Sequence, residues 1–145
     1  MIWIRVVKNE DLPKLIELSL IDKDSIIDNN NYIMVCEDDE KPAATASLKI
    51  SKDTGLIHSI NILDEFKDQF LEDALVRSLI NLASNRAVFS LYFNSNQTKL
   101  INIFKRIGFV ELKDKTFDCN FIKDIDQNMT LLFLDINEFF ANQKC

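Results

Sequence analysis

Hydrophobic positions change their period several times along the chain, and each change marks an element. Trp3 to Val7 is a short β-rich run. Asn9-Glu10-Asp11 then offers capping and acidic first-turn residues, and Leu12, Leu15, Ile16 and Leu20 recur on one helical face, which predicts a helix over residues 10–20. A second helical stretch, Lys23 to Asp28, breaks at Asn29-Asn30-Asn31. Tyr32 to Cys36 and Ala43 to Ile50 are β-rich and flank the polar run Glu37 to Pro42, the pattern of an antiparallel hairpin. Lys52-Asp53-Thr54-Gly55 predicts another turn. Leu56 to Ile62 then alternates so that Leu56, His58, Ile60 and Ile62 share one face, which puts His58 among apolar neighbours.

From Asp64 the period lengthens. Phe66, Phe70, Leu71, Ala74, Leu75, Ser78, Leu79 and Leu82 fall on one side of a helix ending near Ser84-Asn85. Asp64 as N-cap and the Phe66/Phe70 pair predict that this helix starts by residues 66–68. Ala87 to Phe93 is an apolar strand, Asn94-Ser95-Asn96 a loop, and Leu100, Ile103, Phe104 and Ile107 mark a helix stopped by Gly108. Phe109 to Leu112, Thr116 to Ile122 and Met129 to Leu134 supply further strands, and Glu138 to Asn142 a short terminal helix. The helix between strands 56–62 and 87–93 is the crossover that a parallel pair requires. The fold class is therefore α+β or mixed α/β, a mixed sheet with helices packed on it.

Composition narrows the reading. No repeat or Gly/Ser/Pro linker interrupts the 145 residues, so residues 1–145 are expected to form one domain, which at this size buries about 70% of its unfolded surface. The net charge of −6 with scattered cations gives no footprint for nucleic acid. The apolar start reaches Arg5 and Lys8 too soon for a membrane span or a signal core, so a cytoplasmic protein away from membranes is expected. Cys36, Cys119 and Cys145 form no Cys-x-x-Cys pair, and no metal site is expected. Only two glycines occur, which disfavours a glycine-lined phosphate cradle.

The order of elements and three local sequences resemble the GNAT acetyltransferase superfamily. Ile4-Arg5-Val6-Val7 with Glu10-Asp11-Leu12 is similar to the family's first strand and helix. Ile103-Phe104-Lys105-Arg106-Ile107-Gly108-Phe109 is similar to its L-Y-x-x-x-G-F helix ending. Between them, Ile62 to Glu72 aligns without a gap to V-x-P-x-Y-R-G-x-G-x-G, whose glycines admit the pyrophosphate of CoA to a helix start. The resemblance implies a central, mostly antiparallel sheet whose fourth and fifth strands are parallel and diverge. It implies acetyl-CoA or CoA as cofactor, bound at Ile60, Ile62, Lys67, Gln69, Phe70, Glu72, Asp73 and Asn96 by motif position, and an amine as acyl acceptor. In this chain Asp68, Phe70 and Glu72 stand where the glycines belong, and Lys67 keeps the positive charge. These substitutions predict a CoA dissociation constant above about 1 mM.

The resemblance also implies His58 as the general base, on the fourth strand, whereas the bland alternative is a packed histidine bonded to backbone or water. Phe104 replaces the tyrosine with which many family members protonate the departing thiolate, leaving water as the proton donor; Tyr92 is not a positional substitute. The acidic run from Asp64 to Asp73 reads as a solvated, dipole-matched helix start, worth about 0.3–1 kcal/mol for each charge. Two functions follow: an N-acyltransferase using acyl-CoA, or a non-catalytic GNAT-like domain kept for binding or regulation. Their partners would be a small amine or a protein, a second copy of the chain included.

Overall fold

The computed structural model describes residues 1–24, 30–113 and 121–143, with the side chain of Ile122 left aside. Seven strands make one sheet: β1 (Ile2–Val6), β2 (Asn31–Asp38), β3 (Lys41–Ser51), β4 (Thr54–Ile62), β5 (Ser90–Ser95), β6 (Val110–Glu111) and β7 (Thr130–Asp135). The helices are α1 (Leu12–Glu17), α2 (Leu71–Asn85), α3 (Thr98–Ile107) and α4 (Ile136–Ala141). The sheet order is β1-β2-β3-β4-β5-β7-β6, antiparallel throughout except for the parallel β4–β5 pair. This is the mixed, mostly antiparallel sheet that the crossover helix and the resemblance implied.

Both faces of the sheet are covered. On one, Leu75, Leu79 and Ile80 of α2, Phe104 and Ile107 of α3 and Phe139 of α4 pack on Leu48, Ile57, Leu91 and Phe93. The opposite face is covered in two parts, Leu15, Leu20 and Ile21 over Ile33 and Val35, and Phe121 and Ile125 over Leu56, Tyr92 and Leu131. Full burial of each such side chain contributes about 1.5–3 kcal/mol.

Several boundaries differ from the periodicity. The first helix is shorter than 10–20, because a 3-10 turn occupies Asn9–Asp11 and Ser19 turns left-handed at φ 59°. The β2–β3 hairpin closes on Asp39 and Glu40, at φ 50° and 70°, a two-residue turn with both central residues left-handed. Gly55 lies inside β4 rather than in the preceding turn. The stretch predicted to open the long helix is a 3-10 segment, Asp64–Gln69, and α2 begins only at Leu71. Cys119, Cys145 and most of the predicted elements 23–28 and 116–122 lie outside the described residues. No described helix is long and apolar enough to cross a membrane.

The reading of β4 also needs correction. Ser59 pairs with Ser47 and Ile57 with Leu48, so His58 is one residue more than β3 can match, a β-bulge. The bulge reverses the alternation. Ile57, Ile60 and Ile62 all pack on the α2 side, Leu56 faces the other way, and His58 is exposed instead of lying among apolar neighbours.

Candidate active site

The β4–β5 ladder runs only from Thr54↔Ser90 to Ile57↔Phe93, although β4 continues to Ile62 and β5 to Ser95. Past Ile57 the strands have parted, and among the described residues the backbone edge of β4 that faces β5 has no strand partner there. A cavity of about 510 Å³ lies at this end. Its walls are Ile60, Asn61, Ile62 and Leu63 of β4 and its exit, Asp64 and Lys67 of the 3-10 segment, Glu72 of α2, and Gln97, Lys99 and Leu100 at the start of α3. Leu18, Ser19 and Leu20 close the remaining side. That closure is built by the sheet: the buried Thr45 hydroxyl and Asn61 Nδ2, the latter at 3.1 Å, both donate to the Leu20 carbonyl.

Two acids and two lysines line the cavity, and they pair. Lys67 Nζ is 2.8 Å from Asp64 Oδ1, which holds the Asp64 carboxyl below its usual range and the Lys67 ammonium above its own. Lys99 Nζ is 3.3 Å from Glu72 Oε1 and ties the start of α3 to the start of α2. Glu72 is buried, and its Oε2 has no hydrogen-bond partner among the described residues. Phe70, between the 3-10 segment and α2, is left-handed (φ 57°, ψ 37°) with its ring 77% exposed.

Of the positions expected to bind a cofactor, Ile60, Ile62, Lys67 and Glu72 meet in this cavity. Phe70 and Asp73, again with Glu72, line a neighbouring cavity of about 380 Å³. Gln69 and Asn96 are exposed and line neither. His58 is also outside the cavity wall; its Nε2 lies 2.8 Å from Asn31 Oδ1. Phe104 is fully buried, stacked on Phe93 with centroids 3.8 Å apart and edge-on to Phe109 at 4.9 Å. Tyr92 lies on the opposite face of the sheet, against Phe133. The contribution of Leu18 to Leu20 was missed. Thr45 and Asn61, which anchor it, stand among other polar residues of β3 and β4 such as Ser47 and Ser59, so the sequence does not single them out. Among the described residues, no three His, Cys, Asp or Glu side chains are grouped to hold a metal ion.

The pattern of the acetyltransferase (GNAT) family matches residues 4–109. The chain belongs to the GNAT acetyltransferase family. No curated protein matches the chain at a significant level. Solved structures share the fold of this GNAT chain. The ribosomal-protein-S18-alanine N-acetyltransferase from Escherichia coli is 18% identical over 94% of each chain, with a TM-score of 0.74. PaiA N-acetyltransferase from Thermoplasma acidophilum, in complex with coenzyme A, is 12% identical over 93% of this chain and 99% of its own, with a TM-score of 0.70. N-acetylglutamate synthase from Neisseria gonorrhoeae, complexed with coenzyme A and N-acetyl-glutamate, is 19% identical with a TM-score of 0.75, over 94% of this chain and 35% of its own.

The cleft fits the two ends of coenzyme A differently. Along β4, apolar side chains and an open backbone edge suit a thioester arm with amide groups. At the α2 start the residues do not fit a diphosphate, because the Glu72 carboxylate lies beside the amide end that would receive it and both nearby lysines already hold acids.

Proposed function

We propose that this chain transfers an acyl group from an acyl thioester of the coenzyme A type to an amine, in the cleft between β4 and β5. The observation that carries the proposal is the parting of β4 from β5 after Ile57, with a cavity of about 510 Å³ at the open end. Backbone N–H groups on the free edge of β4 are donors for the thioester carbonyl and for the oxyanion that develops from it. The amine nitrogen attacks the carbonyl carbon, a C–N bond forms, the C–S bond breaks, and the thiolate takes a proton from water. The amine's surplus proton leaves through water to His58. The His58 ring is held at the bulge of β4, with Nε2 2.8 Å from Asn31 Oδ1.

A second reading rests on Glu72. A buried carboxylate at the α2 start, with one oxygen lacking a partner among the described residues, suits a domain that binds without catalysing. Release of free thiol, measured with acetyl-CoA at several millimolar and a panel of aliphatic and peptide amines, separates the two. Amine-dependent release above the uncatalysed rate, with stoichiometric N-acetyl product, is the expected result. Absence of release with every amine contradicts transfer and leaves the binding domain.

A further inference from the structure

We infer that Glu72 makes the cleft selective for an acyl thioester whose arm ends without a diphosphate, the class represented by S-acyl pantetheine. This rests on reading the cleft as an acyl-transfer site. Glu72 is the second residue of the 15-residue helix α2, and its side chain is 5% exposed. It forms a wall shared by the cleft and the neighbouring cavity that Phe70, Asp73, Ile103 and Arg106 line. The start of a helix this long presents unpaired N–H groups that attract an anion. Here a carboxylate of the chain itself stands beside that end. An entering diphosphate would bring its charges against the buried carboxylate of Glu72, which is 5% exposed.

The cations lining the cleft itself do not offset that repulsion. Lys99 is held by Glu72 and Lys67 by Asp64, so the charged groups lining the cleft cancel, two against two. Glu72 Oε2 has no hydrogen-bond partner among the described residues, so the carboxylate is compensated on one oxygen only. A pantetheine arm carries amide N–H and hydroxyl donors along a flexible chain, and no charge. An uncharged arm meets no such repulsion, and its amide and hydroxyl groups suit a wall of isoleucine and leucine interrupted by Asn61 and Gln97.

Calorimetric titration of S-acetylpantetheine and of acetyl-CoA into the wild-type chain and a Glu72→Gln variant tests the inference, since glutamine keeps the shape and removes the charge. For the wild type, acetyl-CoA is expected to bind more weakly than about 1 mM and at least about tenfold more weakly than S-acetylpantetheine. Glu72→Gln should tighten acetyl-CoA by at least about tenfold and change S-acetylpantetheine by less than about threefold. A thermal melt checks that the variant folds. If it does not, Lys99→Met serves instead: it leaves the Glu72 charge unopposed and should weaken acetyl-CoA while sparing the neutral arm. Micromolar binding of acetyl-CoA to the wild type, or equal tightening of both donors in the variant, overturns the selectivity and leaves the acyl-transfer site standing. If neither donor binds either protein, both the acyl-transfer reading and this inference fall.

Discussion

Phe70 holds a backbone conformation that ordinarily belongs to glycine, at φ 57°, and its ring gains little burial in return. Left-handed backbone costs a side chain about 1–2 kcal/mol, whereas glycine pays about 0.5–1 kcal/mol in lost chain entropy. Phe70→Gly is therefore expected to leave stability unchanged or raise it by up to about 1 kcal/mol in urea denaturation. Phe104 is the opposite case, with no exposed surface and a ring stacked on Phe93. Phe104→Tyr should not add a proton donor to the cleft. It should cost about 1–3 kcal/mol in the same measurement, because the new hydroxyl is buried without a prepared partner, and thiol release should not rise. Truncation to alanine should cost about 3–5 kcal/mol. The burial of Phe104 was legible in the helical spacing of Leu100, Ile103, Phe104 and Ile107. The left-handed turn at Phe70 was not, because nothing in the identity of a phenylalanine announces a positive φ.

At the scale of elements, two joints control the geometry. Arg5 of β1 holds Asp11, just before α1, through two bonds of 2.7 and 2.8 Å, and reaches Glu37 of β2 at 2.7 Å. The Arg5 hydrogen bond, aided by the Lys8 backbone N–H, pulls the Asp11 carboxyl down to about 2. A carboxyl depressed in the folded state contributes stability that is present above its unfolded value near 4 and is lost as pH falls toward 2. That contribution is at most about 2 kcal/mol, and less after screening, since Arg5 is 34% exposed. Asp11→Asn should accordingly flatten the fall in melting temperature between pH 4 and 2, by differential scanning calorimetry. The second joint is Gly55, paired with Leu91 in the short parallel ladder. A Cβ there would lie 2.8 Å from Leu91 Cδ2 and 3.0 Å from Leu48 Cδ1. Gly55→Ala should destabilise the chain by about 1–3 kcal/mol and speed amide exchange in Leu56 and Ile57 ahead of β2 and β3. The existence and order of β4, α2 and β5 were read correctly from periodicity. The faces of β4 were not, since one bulged residue at His58 inverts every later side chain and leaves no mark in the pattern.

At the scale of the molecule, the parallel pair followed from chain connectivity, because the helix between strands 56–62 and 87–93 leaves room for a crossover and none for a tight hairpin. The cleft follows from the same fact: β7 takes over the free edge of β5, and β4 runs on beyond their last shared pair. The family resemblance put eight positions forward for the cofactor: Ile60, Ile62, Lys67 and Glu72 are in the cleft wall, Phe70 and Asp73 line the neighbouring cavity, and Gln69 and Asn96 line neither. It could not place Leu18 to Leu20, which reach the cleft through tertiary hydrogen bonds to Thr45 and Asn61. The most direct test of the cleft as a thioester site is an amide NMR spectrum of the labelled chain, recorded with and without millimolar S-acetylpantetheine. The account predicts that the largest shifts fall on Ile60 to Leu63 and on Gln97 to Leu100. A spectrum without shifts, or with shifts confined to residues away from the parted ends of β4 and β5, would contradict it.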